Sequence, residues 1–308
     1  MGPVLMRFII QAIYGLILAI ALSLPGGAWA ATVIDQAGRS VEVPDFPRRV
    51  VSLAPSLTEI VYAIGREDRL VGATQYSNEP PPARDLPRVG SYVKLDLEKI
   101  IALKPDLCLG IKDGNPLSVV QRIEALGIPV YVIDPHDLAG IAEVVERLGA
   151  LLGAKDRATA ITSDMRSRIA RINRLVAGTP ERPGVFFQID AAPIISAGLG
   201  TFIDELISLA GGRNLAVKAG VAYPRYNWEE IITLAPQVAI VASMAGGYSV
   251  EDLKGGWLRW PQIPAVRDGR VHVVEADLID RPTPRLVEGL ERFAEIIHPE
   301  LFGEVDDR

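Results

Sequence analysis

The feature that most constrains this chain is a thirteen-residue unit that occurs twice. It reads LEKIIALKPDLCL at residues 97–109 and WEEIITLAPQVAI at residues 228–240, at a constant offset of 131. Each copy has a short helical pattern, then a proline that ends the helix, then an apolar run typical of a buried strand. A unit copied in this way indicates a chain made of two halves built on one plan.

Polar and aromatic positions around the unit match as well. Asp96 and Asn227 stand where a helix N-cap is needed, and Glu230 is spaced to complete a capping box. We expect the isoleucine pair and the next leucine of each copy to face a core. Four further residues are not required by such a helix, namely the glutamates Glu98 and Glu229 and the tyrosines six residues before them, Tyr92 and Tyr223.

Each of these pairs has two interpretations. A carboxylate in the first turn of a helix is favoured by the helix dipole, by roughly 0.3–1 kcal/mol, and a duplication would copy it. Alternatively, the two acids are exposed and form matched electrostatic contacts for a partner. The tyrosines are either half-buried aromatics at a helix start, or rings at the mouth of a cleft that lie flat on a planar ligand.

Short β-rich runs alternate with helical patterns along the chain, an order typical of parallel sheets covered by helices. Residues 32–44 are predicted to form a hairpin that turns near Gly38. The predicted fold class is therefore α/β, with two similar α/β lobes and central, mainly parallel sheets. The other predicted strands are 49–54, 70–74, 106–110 and 129–134 in the first half, and 185–189, 238–242 and 270–275 in the second.

A weaker echo supports the duplication. The residues TEIV at 58–61, followed by Gly65, resemble DELI at 204–207, followed by Gly211. Each set falls on a helix after the first strand of its half.

Residues 140–176 between the halves carry few strand signals. Apolar residues recur there at helical spacing, Gly153 interrupts the pattern, and a charged helix is predicted at about 156–176. At roughly 1.5 Å per residue this helix would be about 30 Å long, a rigid connection rather than a flexible linker. The predicted domains are an N-terminal α/β lobe at 31–138, a helical linker at 139–180 and a C-terminal α/β lobe at 181–308.

The first thirty residues predict a cleavable signal peptide at 1–30. Arg7 precedes a mostly apolar run at 8–24, Pro25-Gly26-Gly27 breaks the helix, and Ala28-Trp29-Ala30 has the small-x-small pattern that signal peptidase recognises. The alternative is an uncleaved membrane anchor, for which the run is barely long enough. We expect cleavage near Ala30 and a periplasmic mature chain.

Charge and cysteine content exclude several classes of function. Loss of Arg7 with the signal changes the formal net charge from −6 to −7, and no basic cluster is present, which argues against nucleic acid or acidic membrane as a partner. Cys108 is the only cysteine, in an apolar run, and is predicted to be a buried strand residue. With no cysteine at the signal junction to carry a lipid, we expect the mature chain to be soluble rather than tethered. We also expect it to be a monomer.

Motifs of catalysis are missing from the sequence. It contains neither a Gly-x-Ser-x-Gly elbow nor a P-loop, and its three histidines, His136, His272 and His298, lack metal-ligand spacing. Only His136 follows a strand closely enough to reach a cleft, and a loop role is favoured. Trp257 and Trp260 could cover the second lobe or border the cleft, and packing is favoured. We therefore expect no catalytic residue and no metal site.

Several stretches carry a resemblance to one family. They are RVVSLAPSLTEIVYAIG, Tyr76-Ser77 followed by Pro80-Pro81, LEKIIALKPDL, WEEIITLAP and DRPTPRLVEGLERFAEIIHPELF. Together they resemble the periplasmic solute-binding proteins of ABC importers for cobalamin, iron-siderophores and haem, and the cobalamin type is the most similar. The resemblance implies two α/β lobes joined by one long helix, a ligand cleft between them, and a glutamate on each lobe that docks on arginines of the permease.

The resemblance also implies roles for particular residues. The permease-docking acids fall on Glu98 and Glu229. One aromatic position of the cobalamin type falls on Ile111, so part of the aromatic wall is replaced. The implied ligand-binding residues are the tyrosines Tyr76, Tyr92 and Tyr223 and the late polar pair Asp277 and Arg281.

The implied partners are cobalamin or a related corrinoid, as a transported ligand rather than a cofactor, and the transmembrane permease subunits. Haem is an alternative ligand and would be expected to place a tyrosine on iron, for which Tyr76 or Tyr92 is available. A ferric siderophore would need several arginines near the cleft. An alternative from another class is a chelatase-like periplasmic enzyme that acts on a tetrapyrrole or metal complex.

Overall fold

The computed structural model describes residues 30–191, 193–218, 220–243 and 249–302. The predicted signal peptide therefore lies, apart from Ala30, outside the described residues. Among the residues described, no helix is both long and apolar enough to cross a membrane.

The predicted hairpin is confirmed. Strand β1, Ala30–Ile34, pairs antiparallel with β2, Ser40–Pro44, and Ala30 lies opposite Pro44. The turn contains Gly38 at a φ of 76°, a left-handed conformation that favours glycine because it has no Cβ.

The first lobe contains a four-stranded parallel sheet. Its strand order is β4-β3-β5-β6, and every neighbouring pair is parallel. The strands fall within or next to the predicted ranges, because each is a buried apolar run. Their bounds are β3 Val50–Ser52, β4 Leu70–Gly72, β5 Leu107–Ile111 and β6 Val130–Ile133. The helices of this lobe are α1 Pro55–Ala63, α2 Leu97–Ala102 and α3 Leu117–Ala125, with short 3-10 turns at Glu67–Arg69 and Pro81–Asp85.

The second lobe repeats this plan. Its parallel sheet has the order β10-β7-β12-β13, so first, second, third and fourth strands occupy the same places as in the first lobe. The strands are β7 Gly184–Gln188, β10 Arg213–Asn214, β12 Val238–Ser243 and β13 Val271–Glu275. The helices are α6 Phe202–Leu209, α7 Trp228–Leu234, α8 Val250–Leu258, α9 Pro264–Arg267, α10 Leu286–Ile297 and α11 Pro299–Phe302, with a 3-10 turn at Ala276–Leu278.

A small antiparallel sheet in the second lobe was not predicted. It joins β11, Arg225–Tyr226, to β9, Ile194–Ile195, and β9 to β8, Asp190–Ala191. Two-residue strands are too short to show the alternation by which a strand is recognised in a sequence.

Two helices connect the lobes. Helix α4 is Leu138–Leu151, and α5, Lys155–Ala177, is one residue longer at each end than the predicted helix. Ala158 of α5 packs in a core of the first lobe, whereas Met165 and Ile172 pack in a core of the second. The fold is thus the predicted pair of α/β lobes joined by a long helix.

The two copies of the repeated unit have the same local structure. Asp96 caps α2 and Asn227 caps α7, where Glu230 completes the predicted capping box. Lys104 and Ala235, again 131 residues apart, both have left-handed backbones with φ of 47° and 48°. Each precedes the proline of its unit, so the duplication extends to an unusual backbone conformation.

One packing prediction for this unit was wrong in part. Ile100 and Ile231 are fully buried as expected, but Ile101 is 43% exposed. Helix α2 has only six residues, so its narrow buried face admits the first isoleucine and turns the second toward solvent.

Burial of the predicted core residues is confirmed at two further sites. Cys108 is fully buried in β5, and burial raises the pKa of its thiol to about 12. Trp257 is fully buried in a core of the second lobe, where its Nε1 donates to Gln188 Oε1 at 2.7 Å. Trp260 packs against the same core, as its assignment to packing requires.

Candidate functional site

A cavity of about 830 Å³ lies between the lobes. In the first lobe its walls follow the carboxyl ends of β3, β4 and β5, and in the second they follow the carboxyl end of β13. Ligands of open parallel sheets bind at this edge, where the loops after the strands meet. The described lining residues are Ala54, Pro55, Ser56, Gln75, Tyr76, Asn78, Tyr92, Val93, Ile111 and Asp113 of the first lobe and Glu275, Ala276, Asp277, Asp280, Arg281 and Pro282 of the second.

The first lobe supplies an aromatic and aliphatic wall. The rings of Tyr76 and Tyr92 meet edge to face, with centroids 6.1 Å apart and planes at 64°. They are 50% and 38% exposed, so a large part of each ring is free to contact a ligand. Val93 and Ile111 extend the wall, and Ile111 contributes an aliphatic side chain where the resemblance places an aromatic one.

A buried hydroxyl network supports the loop that carries Tyr76. The Thr58 hydroxyl lies 2.9 Å from the hydroxyls of both Ser52 and Ser77, and Ser77 lies 3.0 Å from that of Thr74. Arg88 Nη1 donates to the carbonyl oxygens of Thr74 and Ser77 at 2.8 and 2.9 Å. Polar groups satisfied in this way inside a core fix a loop in one conformation.

Asn115 holds the segment that carries Tyr92. Its Nδ2 donates to the carbonyl oxygens of Tyr92 at 2.8 Å and Leu53 at 2.9 Å, and its Oδ1 accepts from the Ile111 amide at 2.8 Å. Asn115 was not among the residues predicted from the sequence. Its only signal was an asparagine between Gly114 and Pro116 just after a strand, a combination that turns of many kinds share.

The polar side of the cavity is centred on Arg281. Its Nη2 donates to Asp277 Oδ1 at 2.9 Å and to Asn78 Oδ1 at 2.8 Å, and its Nη1 donates to Glu59 Oε1 at 2.6 Å. Asp277 belongs to the second lobe, whereas Asn78 and Glu59 belong to the first. The predicted pair of Asp277 and Arg281 is thus brought together, and Arg281 also bridges the lobes.

Glu59 is the buried partner in this bridge. It is 6% exposed, and its Oε2 lies 3.4 Å from Arg285 Nη1. Burial raises the pKa of Glu59, and the charges of Arg281 and Arg285 oppose that rise. The sequence singled out Glu59 only as part of the weaker echo, because its partners lie more than two hundred residues later.

The other glutamate of that echo also makes a long-range contact. Glu205 of α6 accepts, through Oε2, a hydrogen bond of 2.9 Å from the backbone amide of Leu138 at the start of α4. Burial raises the pKa of Glu205 as well. Glu59 and Glu205 thus occupy equivalent positions in the weaker echo. Each also joins the first helix of its lobe to a distant part of the chain.

Carboxylates are numerous along the cavity wall. Asp113 lines it from the first lobe, and Glu275, Asp277 and Asp280 line it from the second. Burial raises the pKa of Asp280 to about 6, and the negative charges of Asp277 and Glu59 add to the rise while Arg281 opposes it.

Tyr223 differs from the other predicted aromatics. It is 62% exposed and is not among the described residues that line the cavity. Glu98 and Glu229 are also exposed, each as the second residue of its helix, α2 or α7. A ligand role for Tyr223 and docking roles for the two glutamates stay predictions.

The histidines are dispersed, as their spacing indicates. His272 lies in β13, and His298 is buried with Nε2 3.2 Å from the Gly211 carbonyl oxygen. His136 stands with Asp113 and Asp134 in a group whose potential ligand atoms lie within 4.8 Å of one another. The Lys112 ammonium also contacts Asp134, so one carboxylate of this group is already paired.

Comparison with known proteins agrees with this geometry. Residues 50–278 match the sequence profile of the family described as periplasmic binding protein. A vitamin B12-binding protein of Photorhabdus laumondii is 31% identical over 249 residues, which cover 81% of this chain and 87% of that protein.

Two solved structures share the fold at 30% identity. The periplasmic vitamin B12 binding protein of Vibrio cholerae aligns with a TM-score of 0.72 over 84% of this chain and 99% of that one. A periplasmic heme binding protein from Pseudomonas aeruginosa aligns with a TM-score of 0.74 over 82% and 94%. With a profile match over most of its length and such relatives, the chain belongs to the periplasmic binding protein family.

Proposed function

We propose that this chain is an exported solute-binding protein that captures a corrinoid of the cobalamin type between its lobes and delivers it to an ABC importer. The observation that carries the proposal is the cavity between the lobes, with an aromatic wall on one side and a polar network on the other. The similarity of this chain to proteins named for vitamin B12 supports the choice of ligand.

The chemistry of the two walls suits a corrinoid. A corrin ring is broad and largely apolar on its faces, so the rings of Tyr76 and Tyr92 with Val93 and Ile111 can cover it. Its rim carries amide side chains, which both donate and accept hydrogen bonds. Asp277 accepts such bonds, and Arg281 fixes the place of that carboxylate.

Delivery requires contact with the permease, and Glu98 and Glu229 are the proposed contacts. They project from equivalent helix starts, one on each lobe, and are exposed. Carboxylates at these two points would pair with arginines of the membrane subunits, which sets register and encounter rate more than affinity. The proposed activity is binding and transfer, with no bond made or broken.

Haem is the second candidate ligand. A haem-binding protein is as similar in sequence as the B12-binding structure, and the phenols of Tyr76 and Tyr92 stand in the cavity where an iron ligand would be needed.

Side-by-side titration tests the proposal. The purified mature chain is titrated with cyanocobalamin, haem and a ferric catecholate by isothermal calorimetry, and the bound ligand is recovered and identified by mass spectrometry. We expect cyanocobalamin to bind with a Kd below about 1 μM, which corresponds to more than about 8 kcal/mol, and to be recovered unchanged.

Tyr92→Ala should weaken this binding at least about tenfold, whereas Tyr226→Phe, at a buried tyrosine of the second-lobe core, should not. Tighter binding of haem, with a tyrosinate-to-iron absorption band that Tyr76→Phe or Tyr92→Phe removes, would transfer the assignment to haem. Chemical change of the recovered ligand would favour an enzyme.

A further inference from the structure

The described lining of the cavity is strongly unbalanced in charge. Four carboxylates, Asp113, Glu275, Asp277 and Asp280, face a single cationic side chain, that of Arg281. Aromatic, aliphatic or neutral polar residues make up the rest of the described lining. The walls therefore present acceptors of hydrogen bonds in excess of donors.

Arg281 does not offset this excess, because its guanidinium is already engaged. Its side chain is 11% exposed, and both of its Nη atoms donate to carboxylates, Nη1 to Glu59 and Nη2 to Asp277. Nη2 donates to Asn78 as well. Glu59 itself is buried, so an arginine that turned toward a ligand would leave this carboxylate buried with only Arg285, 3.4 Å away, as a partner.

From this arrangement we infer that the cavity selects ligands by charge, admitting neutral or cationic amide-rimmed corrinoids and rejecting otherwise similar ligands that carry free carboxylates. This inference rests on the proposed function and adds a rule of specificity to it. Asp113, Glu275, Asp277 and Asp280 are its specificity-determining residues, and Glu59 is the positioning residue that keeps Arg281 from serving as an anion site.

The physical basis is a difference between two ligand groups of nearly equal size. A ligand amide can donate its N–H to a wall carboxylate, whereas a ligand carboxylate has no proton to donate and meets several like charges. Rejection through unpaired groups and like charges is a common source of specificity. At an effective dielectric constant of about 20 to 40 and separations near 8 Å, one added negative charge should weaken binding by about tenfold or more.

Haem falls under the same rule because its propionates are carboxylates. The charge pattern therefore distinguishes between the two candidate ligands of this cavity and favours the corrinoid.

The test compares corrinoids that differ in charge but little in shape. The probes are cyanocobalamin, which is neutral, aquacobalamin, which is cationic, and the monocarboxylic acid of cyanocobalamin in which one side-chain amide has been hydrolysed. Calorimetry at pH 7.5 and low salt should give a Kd for the monocarboxylic acid at least about tenfold above that for cyanocobalamin. Aquacobalamin should bind at least as tightly as cyanocobalamin, and added NaCl should reduce the differences.

Variants assign the selectivity to the wall. Glu275→Gln combined with Asp280→Asn should reduce the discrimination against the monocarboxylic acid to about threefold. Glu59→Gln should reduce it too, because Arg281 then carries a charge that the ligand can use. The matched control, Glu42→Gln with Glu181→Gln, removes two exposed carboxylates that lie outside the described lining and should leave the ratio of the two Kd values unchanged.

The possible failures are distinct. Equal affinities for cyanocobalamin and its monocarboxylic acid would overturn the charge rule and leave the proposed function intact. Discrimination that persists in the Glu275→Gln/Asp280→Asn variant and in Glu59→Gln would overturn the assignment to these residues. Failure of every corrinoid to bind would overturn the proposed function, and the charge rule with it.

Discussion

At the scale of single residues, Arg281 and Glu59 form an ion pair that the sequence around either residue does not indicate. Arg281 was assigned through resemblance as a residue near the ligand. In the structure its closest partner is Glu59 of the opposite lobe, at 2.6 Å, and both side chains are nearly buried. The pair is therefore a contact between lobes as well as a support for the polar side of the cavity.

Removal of Arg281 should be costly for stability. Arg281→Ala leaves Glu59 buried with only Arg285, 3.4 Å away, as a partner, so we expect a loss of about 3 kcal/mol in the free energy of unfolding. Urea denaturation followed by circular dichroism measures it. Arg267→Ala breaks an exposed ion pair with Asp268 and serves as a control that should cause little change. Equal midpoints for the wild type and Arg281→Ala would contradict a structural role.

Asp280 should make stability depend on pH. Its pKa is about 6 in the folded chain and about 4 in an unfolded one, so between these values the folded state binds more protons. Stability attributable to Asp280 is therefore highest below pH 4 and declines as pH rises to 6. Burial is the main cause of this raised pKa, and the charged groups that act on it are Arg281 and Asp277 from its own segment and Glu59 from the first lobe.

Asp280→Asn should remove that decline. We expect its free energy of unfolding, relative to wild type, to be larger at pH 7 than at pH 4.5, because only the wild type loses the contribution of Asp280 across this window. Urea midpoints at the two pH values give the difference. A constant difference between the proteins at both pH values would show that the carboxyl titrates normally.

At the scale of elements, the repeated unit explains why the fold was largely predictable. Buried strands such as β5 and β12 are continuous apolar runs, and caps such as Asn227 mark helix starts, so both signals are local in sequence. The strands β8, β9 and β11 have only two residues each, and their pairing depends on contacts that local pattern does not encode.

The site was predictable only in part, for a related reason. Tyr76, Tyr92, Asp277 and Arg281 were assigned through family resemblance, and the structure places all four at one cavity. Glu59 was not assigned, because its role arises where two lobes meet and its partner lies 222 residues later in the chain. Contacts across such separations follow from topology and not from spacing.

The capping box of α7 gives a prediction at this scale. Asn227→Ala removes the side-chain oxygen that accepts from the Glu230 amide and leaves only the bond from the backbone amide of residue 227 to Glu230 Oε2. We therefore expect a loss of about 1 kcal/mol in the free energy of unfolding. Thermal and urea unfolding measure it. Asn227→Ser retains a capping oxygen and should recover most of the loss. An Asn227→Ala variant as stable as wild type would show that the capping box does not stabilise the fold.

At the scale of the whole molecule, the lobes are connected by more than the covalent chain. Helices α4 and α5 pack in cores of both lobes, Glu59 crosses to Arg281, and Glu205 reaches the first amide of α4. Glu59 and Glu205, which occupy equivalent positions in the two halves, therefore make separate long-range contacts. We expect such a molecule to bind ligand with little movement of one lobe relative to the other, which keeps the loss of affinity to domain closure small.

Docking on the permease should draw on one contact from each lobe. The double variant Glu98→Ala/Glu229→Ala should bind cyanocobalamin with a Kd within a few fold of wild type, because both residues lie outside the described lining of the cavity. Transport into proteoliposomes that contain the cognate importer should be abolished. Each single variant should retain partial transport, because one matched contact remains.

Arginine substitutions sharpen that experiment. Glu98→Arg/Glu229→Arg places like charges against the proposed arginines of the permease and should abolish complex formation even at low salt. The control Glu42→Ala/Glu181→Ala removes one exposed acid from each lobe elsewhere and should transport normally. Normal uptake by Glu98→Ala/Glu229→Ala would contradict the assignment of these two glutamates as permease contacts.

The burial of Cys108 also determines how such a molecule can be observed at work. Its thiol is fully buried with a pKa of about 12, and maleimide dyes react with exposed thiolates, so the native cysteine should remain unlabelled. Cysteines introduced at exposed positions 42 and 181 would then accept a donor and an acceptor fluorophore in an otherwise unmodified chain. Energy transfer between the two dyes could be followed in single molecules while a ligand binds and dissociates.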